Sequence, residues 1–348
     1  YYDYKAKNYQ LVYAEATGYV INLLKYLYSI SKDNKLIDFA RASGDWLIRL
    51  AEKYNGVIVM GIKDGSDVRQ AYAFDNGICC KGFLDLYELT GDRRYLEYAE
   101  KIADWLLTKA LKEDGSVKPI LDIDTGKFVQ DEKIWYKASG SFHSKVTMSL
   151  LQLYSMTNDG KILDAAMKIC EWTLGQQKPD GSFQANKYQR SVNLHAHCYT
   201  IEALLYTYAT TNNQKFLVSV ERGINWMMKM QEPDGSLWLW YDDSFAKIKP
   251  SYAIAQFIRI LLLMHMLNEK ENLMKAVEKA SRFLLSMQCS EQDSRISGGF
   301  YEDIRKYGFM MRKSSHVTSW ATMFAIQAFG LLKRRDSVDF NKEVKILF

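Results

Sequence analysis

Four of the five histidines in this sequence, His143, His195, His197 and His316, fall where apolar helical stretches begin after long polar segments. Imidazole can gain or lose a proton near neutral pH, so such a grouping suits proton transfer. Two carboxyl groups occupy equivalent places. Asp75 stands in Tyr72-Ala73-Phe74-Asp75-Asn76-Gly77, and Glu15 stands between Ala14 and Ala16, which leave space beside it. On the wall of an aromatic hollow, desolvation would raise the pKa of Asp75 and fit it to protonate a glycosidic oxygen, with Glu15 as the second carboxylate. Both have structural alternatives: Asp is a favoured helix cap, and a Glu among apolar neighbours can be a satisfied core residue.

His143 lies in Ser141-Phe142-His143-Ser144-Lys145, where the nearby cation would lower its pKa and help to hold a carboxylate. It would then abstract a proton; its alternative is a histidine hydrogen-bonded inside a helix bundle. His195 and His197 are two residues apart, about 200° around a helix, so they cannot form an i, i+4 metal pair. The run Ala203-Leu204-Leu205 that follows favours His197 as the one facing the hollow. His316 and Trp320, four residues apart, share one helix face and could hydrogen-bond and stack a sugar ring or simply pack. Tyr72 and Tyr199 are candidate phenolic acids or packing aromatics. Asn76 and Gln256 are polar side chains at the same level, as are Tyr13 and Tyr252.

These residues need a scaffold, and a repeat supplies it. Tyr28, Tyr87, Tyr154, Tyr208 and His265 each stand five residues before Asp33, Asp92, Asp159, Asn213 and Lys270, and thirteen residues further on come Trp46, Trp105, Trp172, Trp226 and Phe283. A unit that cannot bury its apolar stripe alone must stack on copies of itself. The first helix of each pair is the more apolar, and the second shows 3.6-residue spacing with charges between, as in Tyr95, Ala99, Ile102, Ala103 and Leu106. Inner helices are predicted near 11–28, 70–88, 141–155, 195–209, 250–267 and 314–333, and outer ones near 34–52, 93–110, 160–176, 214–230 and 271–287. A sixth outer helix is either the tail Asp336–Phe348 or upstream of Tyr1. Inner-to-outer turns are short, whereas outer-to-inner links are long, so the long loops and all inner-helix N-termini gather at one mouth. Helix N-termini favour an anionic ligand there.

Composition narrows the classes. With 348 residues and 48% apolar content the chain can bury a large core, and the repeat runs nearly end to end, so one domain is expected. A net charge of +5, dispersed on helix faces, offers no basic tract for nucleic acid. No run of about 18 apolar residues suggests a membrane span. The five cysteines fit neither a disulfide framework nor a zinc spacing, which favours a reducing, cytoplasmic setting and predicts neither metal nor cofactor. The 23 tyrosines and 8 tryptophans exceed packing needs and suit a sugar-binding surface.

Three long loops open alike, with Glu113-Asp114-Gly115-Ser116, Gln177-Lys178-Pro179-Asp180-Gly181-Ser182-Phe183 and Gln231-Glu232-Pro233-Asp234-Gly235-Ser236-Leu237-Trp238. Here the chain resembles the QW-type repeats of squalene and other terpene cyclases, and more broadly the (α/α)6 toroids of six-hairpin glycosidases and polysaccharide-processing enzymes. The resemblance implies an all-α (α/α)6 barrel of about 11–12 helices. The DxDD and DDxxD motifs of terpene enzymes are absent; Asp122-Ile123-Asp124-Thr125 and Tyr241-Asp242-Asp243-Ser244 have the wrong pattern. The GxSxG elbow and the P-loop are absent too. The expected function is therefore that of a carbohydrate-active protein on an acidic or uronic oligo- or polysaccharide. It would act as a glycoside hydrolase or as a lyase or epimerase, and the alternative is a non-catalytic glycan- or protein-binding toroid in a polysaccharide assembly complex. Oligomeric state is left open.

Overall fold

The repeat register has a local cause. In the computed structural model, which describes residues 2, 3, 7–9, 11–241 and 247–348, five inner helices end on a left-handed residue: Lys32, Gly91, Asn158, Asn212 and Glu269. The backbone N–H of each donates to the carbonyl of Tyr28, Tyr87, Tyr154, Tyr208 or His265, the repeated position. This is the helix stop that a left-handed cap produces. One residue further on, Asp92, Asp159 and Asn213 accept from the N–H of Arg94, Lys161 and Lys215 and start the next helix. A stop and a start are thus packed into three residues, which keeps the two helices antiparallel.

The helices are α1 (Ala14–Ser31), α2 (Lys35–Glu52), α3 (Ala73–Thr90), α4 (Arg93–Trp105), α5 (Thr147–Thr157), α6 (Gly160–Leu174), α7 (Leu194–Thr211), α8 (Gln214–Lys229), α9 (Ser251–Asn268), α10 (Glu271–Ser286), α11 (Ser319–Arg334) and α12 (Phe340–Leu347). A 3-10 turn, Ser141–Val146, leads into α5. Odd-numbered helices form the inner ring, closed by contact of α11 with α1, and the even-numbered α2, α4, α6, α8 and α10 form the outer one. The expected short tail is α12, but it is not an outer helix: it packs against α1, α7 and α9, across the end of the ring opposite the long loops. Although α9 is long and apolar enough to cross a membrane, it is an inner helix packed against α7, α10 and α11.

The long loops contain short strands that an all-helical reading omits. The residues leading into an inner helix pair antiparallel with a later loop: Val12–Tyr13 with Gly61–Lys63, Gln70–Tyr72 with Ile120–Asp122, Val192–Asn193 with Trp240–Tyr241, and Ile248–Pro250 with Asp303–Tyr307. His316–Val317 closes the circle on Tyr2–Asp3. The rim of the mouth is therefore hydrogen-bonded from one repeat to the next.

The Asp-Gly-Ser turns brace this scaffold. In each, the Asp Oδ1 accepts from the N–H and Oγ–H of the Ser two residues on, in Asp114–Ser116, Asp180–Ser182 and Asp234–Ser236. The intervening Gly235 has φ +89°, and a Cβ there would lie 2.1 Å from the Lys279 carbonyl oxygen. Gln231 donates to the Gly235 and Ala276 carbonyls, fastening the turn to α10. Asp242, Asp243 and Ser244 lie outside the described residues.

Candidate active site

The mouth leads into a cavity of about 470 Å³. The first two turns of the inner helices line it: Glu15 and Tyr19 from α1, Phe74 and Asp75 from α3, His195 and Tyr199 from α7, Tyr252 from α9, Trp320 from α11. The residues that lead into these helices add Tyr13, Tyr72 and Phe142, and the long loops add Met60, Trp135, Tyr136 and Glu302. Sequence reasoning passed over Trp135, Tyr136 and Glu302 because nothing in an irregular loop fixes which side chain turns inward.

Two carboxyl groups meet across this space. Asp75, 2% exposed, accepts a loose hydrogen bond of 3.4 Å from the Tyr13 hydroxyl, and its other oxygen is buried without a partner. Tyr13 holds the position before α1 and Tyr72 the position before α3, so Asp75 is not a helix cap. Glu15 accepts from the Tyr199 hydroxyl at 3.4 Å and also interacts with the Tyr13 hydroxyl, which thus stands between the two acids. Burial raises the pKa of Glu15 to about 7, against hydrogen bonds from Tyr13 and Tyr199 and the charge of Lys145. Burial and the charge of Glu15 push Asp75 well above the ordinary carboxylate range. Two carboxyls that cannot both ionise at neutral pH are poised as an acid and a base.

The histidines sort differently from expectation. His195, not His197, faces the cavity; its ring lies 4.1 Å from Tyr199 and 4.7 Å from Tyr252, centroid to centroid, and burial lowers its pKa to about 4. His197 is wholly buried between α7 and α8, where Nδ1 accepts from the Phe183 N–H, Nε2 meets the Gly223 carbonyl, and the ring packs on Trp226. His143 is also a scaffold residue: it is buried against Phe142, and Nδ1 bonds the Gly140 backbone. His316 precedes α11 in an extended segment, so it does not share a helix face with Trp320. Its Nδ1 instead lies 3.3 Å from Glu302, a cavity residue whose pKa is raised by burial and by Asp303.

Three other expected contacts lie behind the wall. Asn76 is buried and ties α3 to the Ile58 backbone in both directions. Lys145, 3% exposed, is 2.6 Å from Glu202 and lies under the Tyr199 ring at 5.4 Å; burial lowers its pKa to about 8. Gln256 is buried between His195 and Glu202. Tyr72, Tyr199 and Trp320 line the cavity.

Residues 51–193, which contain Asp75, match Glycosyl Hydrolase Family 88, and residues 133–303 match the prenyltransferase alpha-alpha toroid domain, each over less than half of the chain. Among solved structures, cellobiose 2-epimerase from Bacillus thermoamylovorans B4167 superposes with a TM-score of 0.77 at 14% identity, covering 94% of this chain and 90% of that one. The fold is the (α/α)6 toroid. Unsaturated glucuronyl hydrolase specific for heparin gives a TM-score of 0.69 at 16% identity, with the toroid covered over 94% and that chain over 87%. D-mannose isomerase gives 0.75 at 13%, with coverage of 93% and 87%. No curated protein matches the sequence significantly.

Proposed function

We propose that this toroid is a carbohydrate-active enzyme that processes oligosaccharides by acid–base chemistry between Asp75 and Glu15. The observation that carries the reading is the acid pair, a buried Asp75 and a partly buried Glu15, bridged by Tyr13 in an aromatic cavity. Asp75, held well above the ordinary carboxylate range by burial and by the charge of Glu15, keeps its proton at neutral pH and donates it to the oxygen of the scissile bond. Glu15, ionising near 7, is the base that activates water. Aromatic faces such as Trp135 and Trp320 stack the sugar and exclude water, which strengthens both effects. The similarity to Glycosyl Hydrolase Family 88 across Asp75 supports hydrolysis. His195, a neutral base in the same cavity, favours epimerisation or isomerisation as a second reading, in keeping with the names of two similar structures.

One experiment separates these readings. Uronate-containing and neutral oligosaccharides are incubated with the protein, and products are followed by reducing ends, by the absorbance of unsaturated sugars and by NMR for epimers. Both substrate types belong in the panel: the similarity to unsaturated glucuronyl hydrolase supports a uronate, whereas the cavity lining includes three carboxyl groups and, among the described residues, neither Lys nor Arg. Asp75→Asn is expected to lower kcat by about 10²- to 10⁴-fold, the usual worth of a positioned general acid. If oligosaccharides bind but the wild type turns none over, the protein is a binding toroid and the enzymatic reading is lost.

A further inference from the structure

Behind the cavity wall runs a chain of buried polar side chains whose hydrogen-bond direction can be deduced. Glu202, in the middle of α7, is met by two cations, with Arg259 Nη2 at 2.5 Å from Oε1 and Lys145 Nζ at 2.6 Å from Oε2. Burial opposes its charge, but Lys145 and Arg259 hold its pKa below the usual range, so Glu202 is a carboxylate and can only accept. Gln256 Nε2 lies 3.2 Å from Glu202 Oε2. The amide must present its nitrogen there, because the opposite orientation would set two acceptor oxygens against each other. Gln256 Oε1, an acceptor only, is then fixed 2.5 Å from His195 Nδ1.

The remaining step is a count of protons. Burial keeps the His195 ring neutral near pH 7, so it carries one N–H, and Nδ1 must hold it to satisfy Gln256. Nε2 is left with its lone pair. Among the described residues none hydrogen-bonds Nε2, and the ring lines the cavity between Tyr199 and Tyr252. We propose that Glu202 and Gln256 are positioning residues that lock His195 in the Nδ1–H tautomer, so that Nε2 accepts a hydrogen bond from a sugar hydroxyl in the cavity. The inference rests on reading the cavity as a sugar site. It adds a specificity element: an acceptor with no protein partner favours a ligand that brings a hydroxyl to it over one that does not.

Ring-nitrogen NMR of the full chain labelled with ¹⁵N-histidine tests the tautomer without any ligand, with the His195 signals identified by their loss in His195→Asn. The expected wild-type result is a protonated Nδ1 and a pyridine-type Nε2, unchanged between pH 6 and 8. In Gln256→Met the preference should relax toward the Nε2–H form, while the signals of the other four histidines report that the fold is kept. An Nε2–H tautomer in the wild type overturns the proposal, and so does an unchanged tautomer in a folded Gln256→Met. Should that variant not fold, the wild-type spectrum still decides. On an oligosaccharide that is turned over, Gln256→Met should reduce kcat/KM roughly 3- to 10-fold, the worth of one hydrogen bond. If no oligosaccharide binds, the functional reading and the hydroxyl contact fall together, while the spectrum still decides the tautomer.

Discussion

Replacing Glu15 by Gln should make the protein more stable at alkaline pH. Burial raises the pKa of Glu15 from an ordinary 4.5 to about 7 in the folded chain. Between those values the folded state holds a proton that the unfolded state has released, so stability falls as pH rises through this window and levels off above about 7. One pH unit of difference is worth about 1.4 kcal/mol, and between pH 5 and pH 8 the loss from this one group comes to about 2 to 3 kcal/mol. Gln has the same shape, still accepts from Tyr13 and Tyr199, and carries no charge to desolvate. It also removes the negative neighbour that raises Asp75, which acts in the same direction. Urea unfolding of wild type and Glu15→Gln at pH 5 and pH 8 provides the test. The variant's advantage should grow by about 2 kcal/mol or more between the two conditions. An advantage that is the same at both pH values, or that shrinks toward pH 8, would show that Glu15 ionises normally and that the acid pair is not built as described.

Two further substitutions probe the scaffold. His197→Ala removes the acceptor of the Phe183 N–H and the ring that packs on Trp226, and should cost about 2 to 4 kcal/mol in unfolding free energy while leaving kcat nearly unchanged. Loss of turnover without loss of stability would return His197 to the chemistry. Gly235→Ala places a Cβ on the Lys279 carbonyl at a positive φ, and should cost at least about 2 kcal/mol, read as a lower urea midpoint. A neutral effect would mean that the Asp-Gly-Ser turns do not brace the toroid.

The sequence revealed the helices more clearly than the side chains of the site. Outer helices such as α4 are polar on one side, so their phase could be read from their charges. Inner helices are not: α7 is buried from Ala196 to Thr207, with apolar residues on every side, so no pattern of charges fixes which of His195 and His197 turns toward the cavity. The strands at the mouth escaped notice because most are only two or three residues long and carry no readable alternation. A signal for the buried relay was present nevertheless. Glu202 and Arg259 are charges set in otherwise apolar inner-helix runs, Ile201-Glu202-Ala203 and Ile258-Arg259-Ile260, and such charges need partners. The carboxyl pair was accessible because both acids stand in the first turn of an inner helix, where position along the chain already places them at the mouth.

The strand pairing around the rim constrains how this protein can diverge. Tyr72 reaches the cavity from a strand of three residues paired to Ile120–Asp122, and in such a strand neighbouring side chains point to opposite faces. Inserting one residue before Tyr72 would exchange its ring for its neighbour's and disturb the loop of the next repeat, whereas two residues would restore the pattern. Substrate range in this lineage should therefore change through hairpins lengthened by even steps, or through substitutions at the inward positions, and single-residue insertions should be rare in these strands.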